Sequence, residues 1–279
     1  MPNRTAHDLG VADLVLSHFS LPRFLPIDER IALAGGAGFS GIGLYLIQYG
    51  RMLAEGESVA RLHDLLDEHD VLLAEIEVVR GWGQRGAPYD ECRRMEQIAF
   101  AMADEFQCRY MQAIGPVEGT LSDAASAFGA LCDRAADHNL VVGLEFLPFT
   151  NVRTAAEALD IVERAGRENG GLCVDIWHHE RGARDLSMIR SIPGDRVHGI
   201  QMNDGTIASA MPDDYVQDCL RHRVAPGKGE FDVAAIVGIL RDELDVSVPW
   251  SLEVPNEAAF LGDLATHVQE CAQGMRAYL

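Results

Sequence analysis

The sequence lacks any long hydrophobic run. Its apolar stretches fall well short of the roughly 20 residues that a membrane-spanning helix needs. The opening residues, MPNRTAHD, also lack the apolar core of a secretory signal peptide. We therefore expect a cytoplasmic protein that does not associate with membranes.

Paired cysteines are absent and basic residues are few. None of the six cysteines stands in a Cys-x-x-Cys pair, so we expect reduced thiols in the core instead of disulfides or a zinc knuckle. Lysine and arginine total 23 against 43 aspartates and glutamates, for a formal net charge of −20. Because nucleic-acid phosphates require a basic surface, this balance argues against a nucleic-acid partner.

Strand-like and helix-like segments alternate along the whole sequence. Each short apolar run is followed by a segment whose apolar residues have helical spacing. The predicted strands cover residues 13–17, 41–46, 71–79, 110–114, 141–146, 171–176, 197–203 and 248–254. Eight such units indicate a closed parallel sheet, so we predict an α/β fold with a single (β/α)8 TIM barrel over residues 1–279. The alternative, a doubly wound open sheet, would carry a Gly-x-Gly-x-x-Gly turn after its first strand, and this chain has none.

The last four predicted strands each end on a residue that can bind a hard metal ion. These residues are Glu145, Asp175, Gln201 and Glu253. In a barrel the C-terminal ends of the strands meet on one face, where active sites lie. Side chains alternate along a strand, and each candidate shares its face with small residues while large apolar residues occupy the opposite face. We therefore expect the four side chains to point into the barrel mouth.

Three carboxylates in one barrel mouth predict a divalent cation. Without a cation, mutual repulsion and burial would both oppose ionisation of the acids. Two glutamates, one aspartate and one amide form an all-oxygen donor set, which suits Mn²⁺ or Mg²⁺ with open positions for substrate oxygens. Zn²⁺ and Co²⁺ are alternatives, although zinc usually takes more nitrogen or sulfur. The competing interpretation is that each acid only caps or ion-pairs at a strand end.

Strand three offers further candidates for substrate contacts. Its alternation predicts Leu73, Glu75, Glu77 and Val79 on one face, which makes Glu75 and Glu77 candidates to line the mouth as acid–base groups. The alternative is that one of the two glutamates forms a buried ion pair and the other faces solvent. Trp82, just beyond this strand, is a candidate wall of the pocket.

A long loop is predicted between strand seven and residue 231. It contains Arg221, Arg223 and Lys228. Loops after strands seven and eight of TIM barrels often hold an anion, so these residues are candidates for binding an anionic group of the substrate. The alternative is a solvated basic loop in an acidic protein.

Five segments carry a resemblance to a known superfamily. They are Gly-Leu-Glu145, Val-Asp175-Ile-Trp-His178, His-Gly-Ile-Gln201-Met-Asn-Asp204, Ser-Leu-Glu253 and the turn Pro226-Gly-Lys-Gly229. They resemble the xylose-isomerase-like TIM barrels, which include sugar-phosphate isomerases and epimerases, inosose dehydratase, 3-dehydroshikimate dehydratase and endonuclease IV. The resemblance implies a metal ion held by the four strand-end residues. It also implies that His178, one helical turn beyond Asp175, touches the substrate.

At two points the sequence differs from residues that are usual in this superfamily, and these differences reduce the number of candidate reactions. The third ligand is often histidine in the isomerases and epimerases, whereas Gln201 looks more like the dehydroshikimate dehydratases. Ketohexose epimerases place a further Glu and an Arg where this chain has Asn151 and Ile207. A ketohexose epimerase is therefore disfavoured.

The expected chemistry is proton removal next to a carbonyl. The metal would stabilise an enediolate, Glu145 or Glu253 would act as base, and His178 would bind the substrate or shuttle a proton.

The leading prediction is an isomerase or epimerase of a small sugar-like hydroxyketone. Loss of a β-hydroxyl would instead make the protein a dehydratase (lyase) of a cyclic keto-polyol such as 3-dehydroshikimate or an inosose. A non-catalytic sugar-binding barrel is a further alternative, and the helical outer surface allows a homo-oligomer.

Overall fold

The computed structural model describes residues 4–279. Eight parallel strands form a closed barrel in chain order, and the eighth strand pairs with the first. The strands are β1 (Leu14–Leu16), β2 (Gly41–Tyr45), β3 (Leu72–Arg80), β4 (Tyr110–Ile114), β5 (Val141–Glu145), β6 (Gly170–Asp175), β7 (Val197–Met202) and β8 (Trp250–Leu252). The prediction of a (β/α)8 TIM barrel is confirmed.

Helices surround this barrel. They are α1 (Ile27–Gly36), α2 (Leu46–Ala54), α3 (Val59–Glu68), α4 (Ala87–Phe106), α5 (Leu121–Ala136), α6 (Ala155–Ala165), α7 (Ile176–Arg181), α8 (Leu186–Arg190), α9 (Tyr215–Arg221), α10 (Val233–Gly238), α11 (Glu257–Phe260) and α12 (Leu264–Arg276). Helix α10 continues as a π-helical segment over Ile239–Glu243. Within residues 4–279, no helix is long and apolar enough to cross a membrane.

Two short helices of the C-terminal half were not predicted. Helix α7 follows β6 directly and begins because the Asp175 side chain accepts the backbone N–H of His178. Helix α9 lies within the segment predicted as a long loop, and Asp214 caps it by accepting the backbone N–H of Gln217. Both helices are too short to show a clear apolar period, so only their capping residues could have indicated them.

The large apolar residues of the last four strands face outward, as predicted. Leu144, Val174, Ile200 and Leu252 are buried in one hydrophobic cluster that also contains residues of the surrounding helices. Burial of each such side chain contributes about 1.5–3 kcal/mol relative to leaving it exposed. The opposite faces of these strands therefore line the barrel interior.

The prediction that four residues of β3 share one face is wrong for Leu73 and Val79. Glu75 and Glu77 hydrogen-bond to Ser251 of β8 and to the segment after β1, so they point inward. Leu73 and Val79 instead belong to the outer hydrophobic cluster. The pairing of β3 shifts register on both sides, against β2 and against β4, and such irregularities exchange the faces of the residues beyond them.

The barrel interior is filled at its N-terminal end. A small separate cluster lies there, made of Ala6, Leu9, Val15 and Ala74. The ring of Tyr110 also occupies the interior, and a Cβ added at Gly199 would lie only 2.3 Å from the Tyr110 hydroxyl. Glycine at position 199 is thus required by the close approach of Tyr110.

Candidate metal centre

Glu145 ends β5 and lies between two polar side chains. The Nε2 of Gln112, on β4, donates a hydrogen bond to Glu145 Oε2 at 2.8 Å. The Nε2 of His178 lies 3.2 Å from Glu145 Oε1. Burial raises the pKa of Glu145 to about 8, and the nearby charge of Asp175 adds to that rise.

Asp175 ends β6 and caps helix α7 at the same time. Its Oδ1 accepts the backbone N–H of His178 at 2.9 Å. Its Oδ2 accepts hydrogen bonds from Asn203 Nδ2 at 3.0 Å and from Arg223 Nη1 at 2.6 Å. The cap fixes the first turn of α7, so the same residue that faces the interior also places His178 against Glu145.

Arg223 is a buried counter-ion within this cluster. Its Nη2 lies 3.7 Å from Glu253 Oε1 and 3.3 Å from His178 Nε2, and it also donates to Cys219 Sγ at 3.0 Å. His178 Nε2 accepts from Arg223 when the ring proton is on Nδ1, and it can donate to Glu145 Oε1 when the proton is on Nε2. Burial lowers the pKa of His178 to about 4, so the imidazole is neutral at neutral pH.

Gln201 on β7 and Glu253 just after β8 are the other two predicted ligands, and Glu253 lies outside the group of ligating atoms that Glu145, Asp175 and His178 form within 4.8 Å. Gln201 is opposite Asp175 in the strand register and is buried. Its Oε1 lies 3.4 Å from Gln112 Nε2. Glu253 extends the β8 pairing because its backbone N–H donates to Met202 O at 3.0 Å. Burial raises the pKa of Glu253 well above its ordinary value even though Arg223 opposes the rise.

Two more acids lie inside the barrel on β3. Glu75 accepts a hydrogen bond from Ser251 Oγ at 2.8 Å. Glu77 accepts from Ser17 Oγ and from the backbone N–H of His18, both at 3.0 Å. Burial raises the pKa of both carboxyls to about 8. Glu75 thus lies in the interior where it was expected, beside a second acid.

The structure does not bring every predicted substrate-binding residue into this cluster. Trp82 lies in the hydrophobic core, where its ring packs edge-on against Phe128 and its indole N–H donates to Ile114 O. Arg221 is exposed and forms a surface ion pair with Glu257. Lys228 is exposed as well. Of the three basic candidates, Arg223 alone joins the acids.

Two residues of the cluster, Gln112 and Asn203, are not among the residues predicted from the sequence. Gln112 lies within the predicted fourth strand, and an amide within Tyr-Met-Gln-Ala-Ile is the signal that could have indicated it. Asn203 lies two residues after Gln201, so it could have been placed on the same face.

The donor set fits a divalent cation. Glu145, Asp175 and His178 present ligating atoms that all lie within 4.8 Å of one another. Among residues 4–279, Glu145 Oε1 and Gln112 Oε1 are buried without any hydrogen-bond donor. A cation would satisfy the lone pairs of Glu145 Oε1 and compensate the surplus of buried carboxylates in this cluster over the guanidinium of Arg223.

Comparisons with known proteins agree with this architecture. A family model for the xylose isomerase-like TIM barrel matches residues 31–278. The 3-dehydroshikimate dehydratase of Pseudomonas aeruginosa is 32% identical over 128 residues, which are 46% of this chain and 20% of that protein. The inosose isomerase of Bacillus velezensis is 27% identical over 121 residues, 43% of this chain and 41% of that protein. Both matches thus span less than half of each relative.

Solved structures share the fold at lower identity. The IolI protein with a bound zinc atom superposes with a TM-score of 0.84 and 17% identity, covering 95% of this chain and 97% of that one. At this identity the likeness shows the barrel architecture alone.

Proposed function

Because the chain belongs to the xylose isomerase-like TIM barrel family, we propose that it is a divalent-metal-dependent enzyme acting on a small polyhydroxylated ketone. The proposed chemistry is removal of a proton from the carbon next to the carbonyl. One observation carries the proposal: three buried acids and one buried amide at the ends of four consecutive strands lie at the C-terminal mouth of the barrel, around the buried Arg223.

The proposed metal ligands are Glu145, Asp175, Gln201 and Glu253. Their oxygen donors favour Mn²⁺ or Mg²⁺. The imidazole of His178 beside Glu145 would also suit Zn²⁺ or Co²⁺, and the IolI structure that shares this fold holds zinc. When bound, such an ion would polarise the substrate carbonyl and stabilise the charge that develops on its oxygen.

Glu145 and Glu253 are the proposed bases. Gln112 holds one oxygen of Glu145 and leaves Oε1 without a donor from the protein, so Oε1 is free to take a proton from carbon. Glu253 lies on a different strand and can act on another carbon or on the other face of the substrate.

His178 is the proposed polar contact to substrate, and Arg223 is proposed to position it. The neutral His178 can accept a hydrogen bond from a hydroxyl group or pass its proton, since protonation is disfavoured in this buried position. Arg223, which the sequence suggested as a substrate contact, has its N–H groups directed at protein acceptors, so its proposed role is to hold Asp175 and His178 in place.

We propose isomerisation or epimerisation as the outcome. Two acids on strands five and eight allow one to remove the proton and the other to return it elsewhere. The likeness to the inosose isomerases supports this outcome.

Dehydration of a cyclic keto-polyol is the second candidate. Two observations favour it. Gln201 stands where isomerases of this superfamily often have histidine, and identity to the 3-dehydroshikimate dehydratases is 31–32%, against 26–28% to the inosose isomerases. Both reactions begin with the same proton removal and differ in whether a β-hydroxyl then leaves.

One experiment separates these outcomes. Mn²⁺-loaded protein is incubated in D₂O with 3-dehydroshikimate, an inosose and a panel of ketoses, and followed by ultraviolet absorbance and NMR. A new aromatic absorbance with 3-dehydroshikimate alone selects the dehydratase. Deuterium incorporation with isomer formation selects the isomerase. Binding without deuterium incorporation in any compound would contradict catalysis and leave a sugar-binding barrel. Glu145→Gln protein serves as the control for uncatalysed exchange.

A further inference from the structure

Gln112 links two proposed ligands that lie on different strands. Its Nε2 donates to Glu145 Oε2 at 2.8 Å and to Gln201 Oε1 at 3.4 Å. Gln112 is 2% exposed and Gln201 is 2% exposed, so solvent cannot replace these contacts. The amino group of Gln112 has two protons, one for each acceptor.

The side-chain amide of Gln201 can bind a cation in only one of its two orientations, whereas a carboxylate can bind in either. A half-turn about its last torsion exchanges oxygen and nitrogen, and that torsion is broad and roughly two-fold. Only the oxygen can bind a cation, because the amino group donates hydrogen bonds and carries no lone pair for a metal. A glutamate at this position would present an oxygen in either orientation.

The two hydrogen bonds of Gln112 fix the orientation of the Gln201 amide. The Glu145 carboxylate accepts hydrogen bonds when ionised, so it requires the amino group of Gln112 to face it. That amino group in turn requires the oxygen of Gln201. The Gln201 oxygen has two lone pairs and can serve Gln112 and a cation together.

We propose that Gln112 is a positioning residue that holds the Gln201 amide with its oxygen toward the divalent ion. It acts through Gln201 and touches neither ion nor substrate. This inference rests on the proposed metal site. Residues that orient metal ligands in this way contribute about 10–100-fold to metal affinity.

A double-mutant cycle tests this role of Gln112 directly. Mn²⁺ binding to the metal-free protein is measured by isothermal titration calorimetry for wild type, Gln112→Met, Gln201→Glu and the combined variant. We expect Gln112→Met to weaken binding about 10–100-fold in the wild-type background. In the Gln201→Glu background we expect a loss of less than about 3-fold, because either orientation of a carboxylate presents an oxygen.

Control measurements separate a wrong role for Gln112 from a misfolded variant and from the absence of a metal site. Gln48→Met removes another buried glutamine, whose amide donates to Leu25 O in the segment between β1 and α1 and contacts none of the proposed ligands, and it should leave Mn²⁺ affinity unchanged. Should Gln112→Met not fold by circular dichroism, Gln112→Leu takes its place in the same cycle. An unchanged affinity, or an equal loss in both backgrounds, overturns the role assigned to Gln112. Wild-type protein that binds no Mn²⁺ overturns the proposed function instead.

Discussion

The Nη1 of Arg223 lies 2.6 Å from Oδ2 of Asp175, and neither side chain is exposed to solvent. Removing one partner of such a buried pair leaves an uncompensated charge, which costs about 3–5 kcal/mol. We therefore expect Arg223→Met to lower the free energy of unfolding of the metal-free protein by about that amount, measured by urea denaturation. Saturating Mn²⁺ should recover part of the loss, because a cation replaces the missing charge.

The surface pair of Arg221 with Glu257 supplies the matched control. Both side chains are largely exposed, and such pairs contribute about 0–1 kcal/mol. Arg221→Met should therefore leave unfolding nearly unchanged. Equal effects of Arg221→Met and Arg223→Met would show that Arg223 is not a buried counter-ion.

Stability of the metal-free protein should fall as the pH rises from about 6.5 to 8.5. Burial raises the pKa of Glu75, Glu77 and Glu145 from 4.5 to about 8. A raised pKa means that the folded protein keeps protons that the unfolded chain releases, so the stability present below pH 4.5 is lost as the pH rises through 8. His178, whose pKa is lowered to about 4, no longer contributes to the slope above pH 6.5.

Thermal melts in EDTA at several pH values check this slope. Glu77→Gln, which removes one of the three carboxyls, should make the slope shallower. A melting temperature that stays constant or rises with pH across this range would contradict the assignment.

Gly43 should tolerate no side chain. A Cβ at this position would lie 1.7 Å from Glu77 Oε1, so Gly43→Ala must displace a buried acid. Such overpacking costs about 1–3 kcal/mol. Gly36, at the end of α1, has nothing within 4 Å of its added Cβ, and Gly36→Ala should be neutral or stabilise by up to about 1 kcal/mol. Urea denaturation of both variants gives the comparison, and equal stabilities would contradict the close approach.

His178→Asn should slow turnover of the substrate that the panel identifies. Loss of a group that binds or transfers a proton in the transition state costs about 10²–10⁴-fold. The adjacent His179 is also buried but belongs to the other side of α7, where it lies near Asp185 and Arg184. His179→Asn should leave kcat within about 3-fold of wild type. A comparable loss in both variants, measured by steady-state kinetics, would show that packing of α7 accounts for the effect.

The sequence predicts the barrel and the inward direction of Glu145, Asp175, Gln201 and Glu253 because both depend on local alternation. Contacts between distant strands carry no such periodic signal. Gln112 and Gln201 are 89 residues apart, and nothing local in either segment indicates their hydrogen bond.

Two other differences have identifiable physical causes. Register shifts of β3 exchanged the faces of Leu73 and Val79. The loop after β7 folds back through an antiparallel bridge between Asp204 and Val224, which takes Arg223 into the interior while Arg221 remains at the surface. Composition alone could not separate these two arginines.

The central claim is that Glu145, Asp175, Gln201 and Glu253 hold one divalent ion. A crystal grown with Mn²⁺ and measured by anomalous diffraction tests it most directly. The account predicts a single anomalous peak at the C-terminal mouth of the barrel, within about 2.0–2.4 Å of an oxygen from each of the four side chains. Absence of a peak there at saturating Mn²⁺, or a peak whose ligands exclude Gln201 and Glu253, would contradict it.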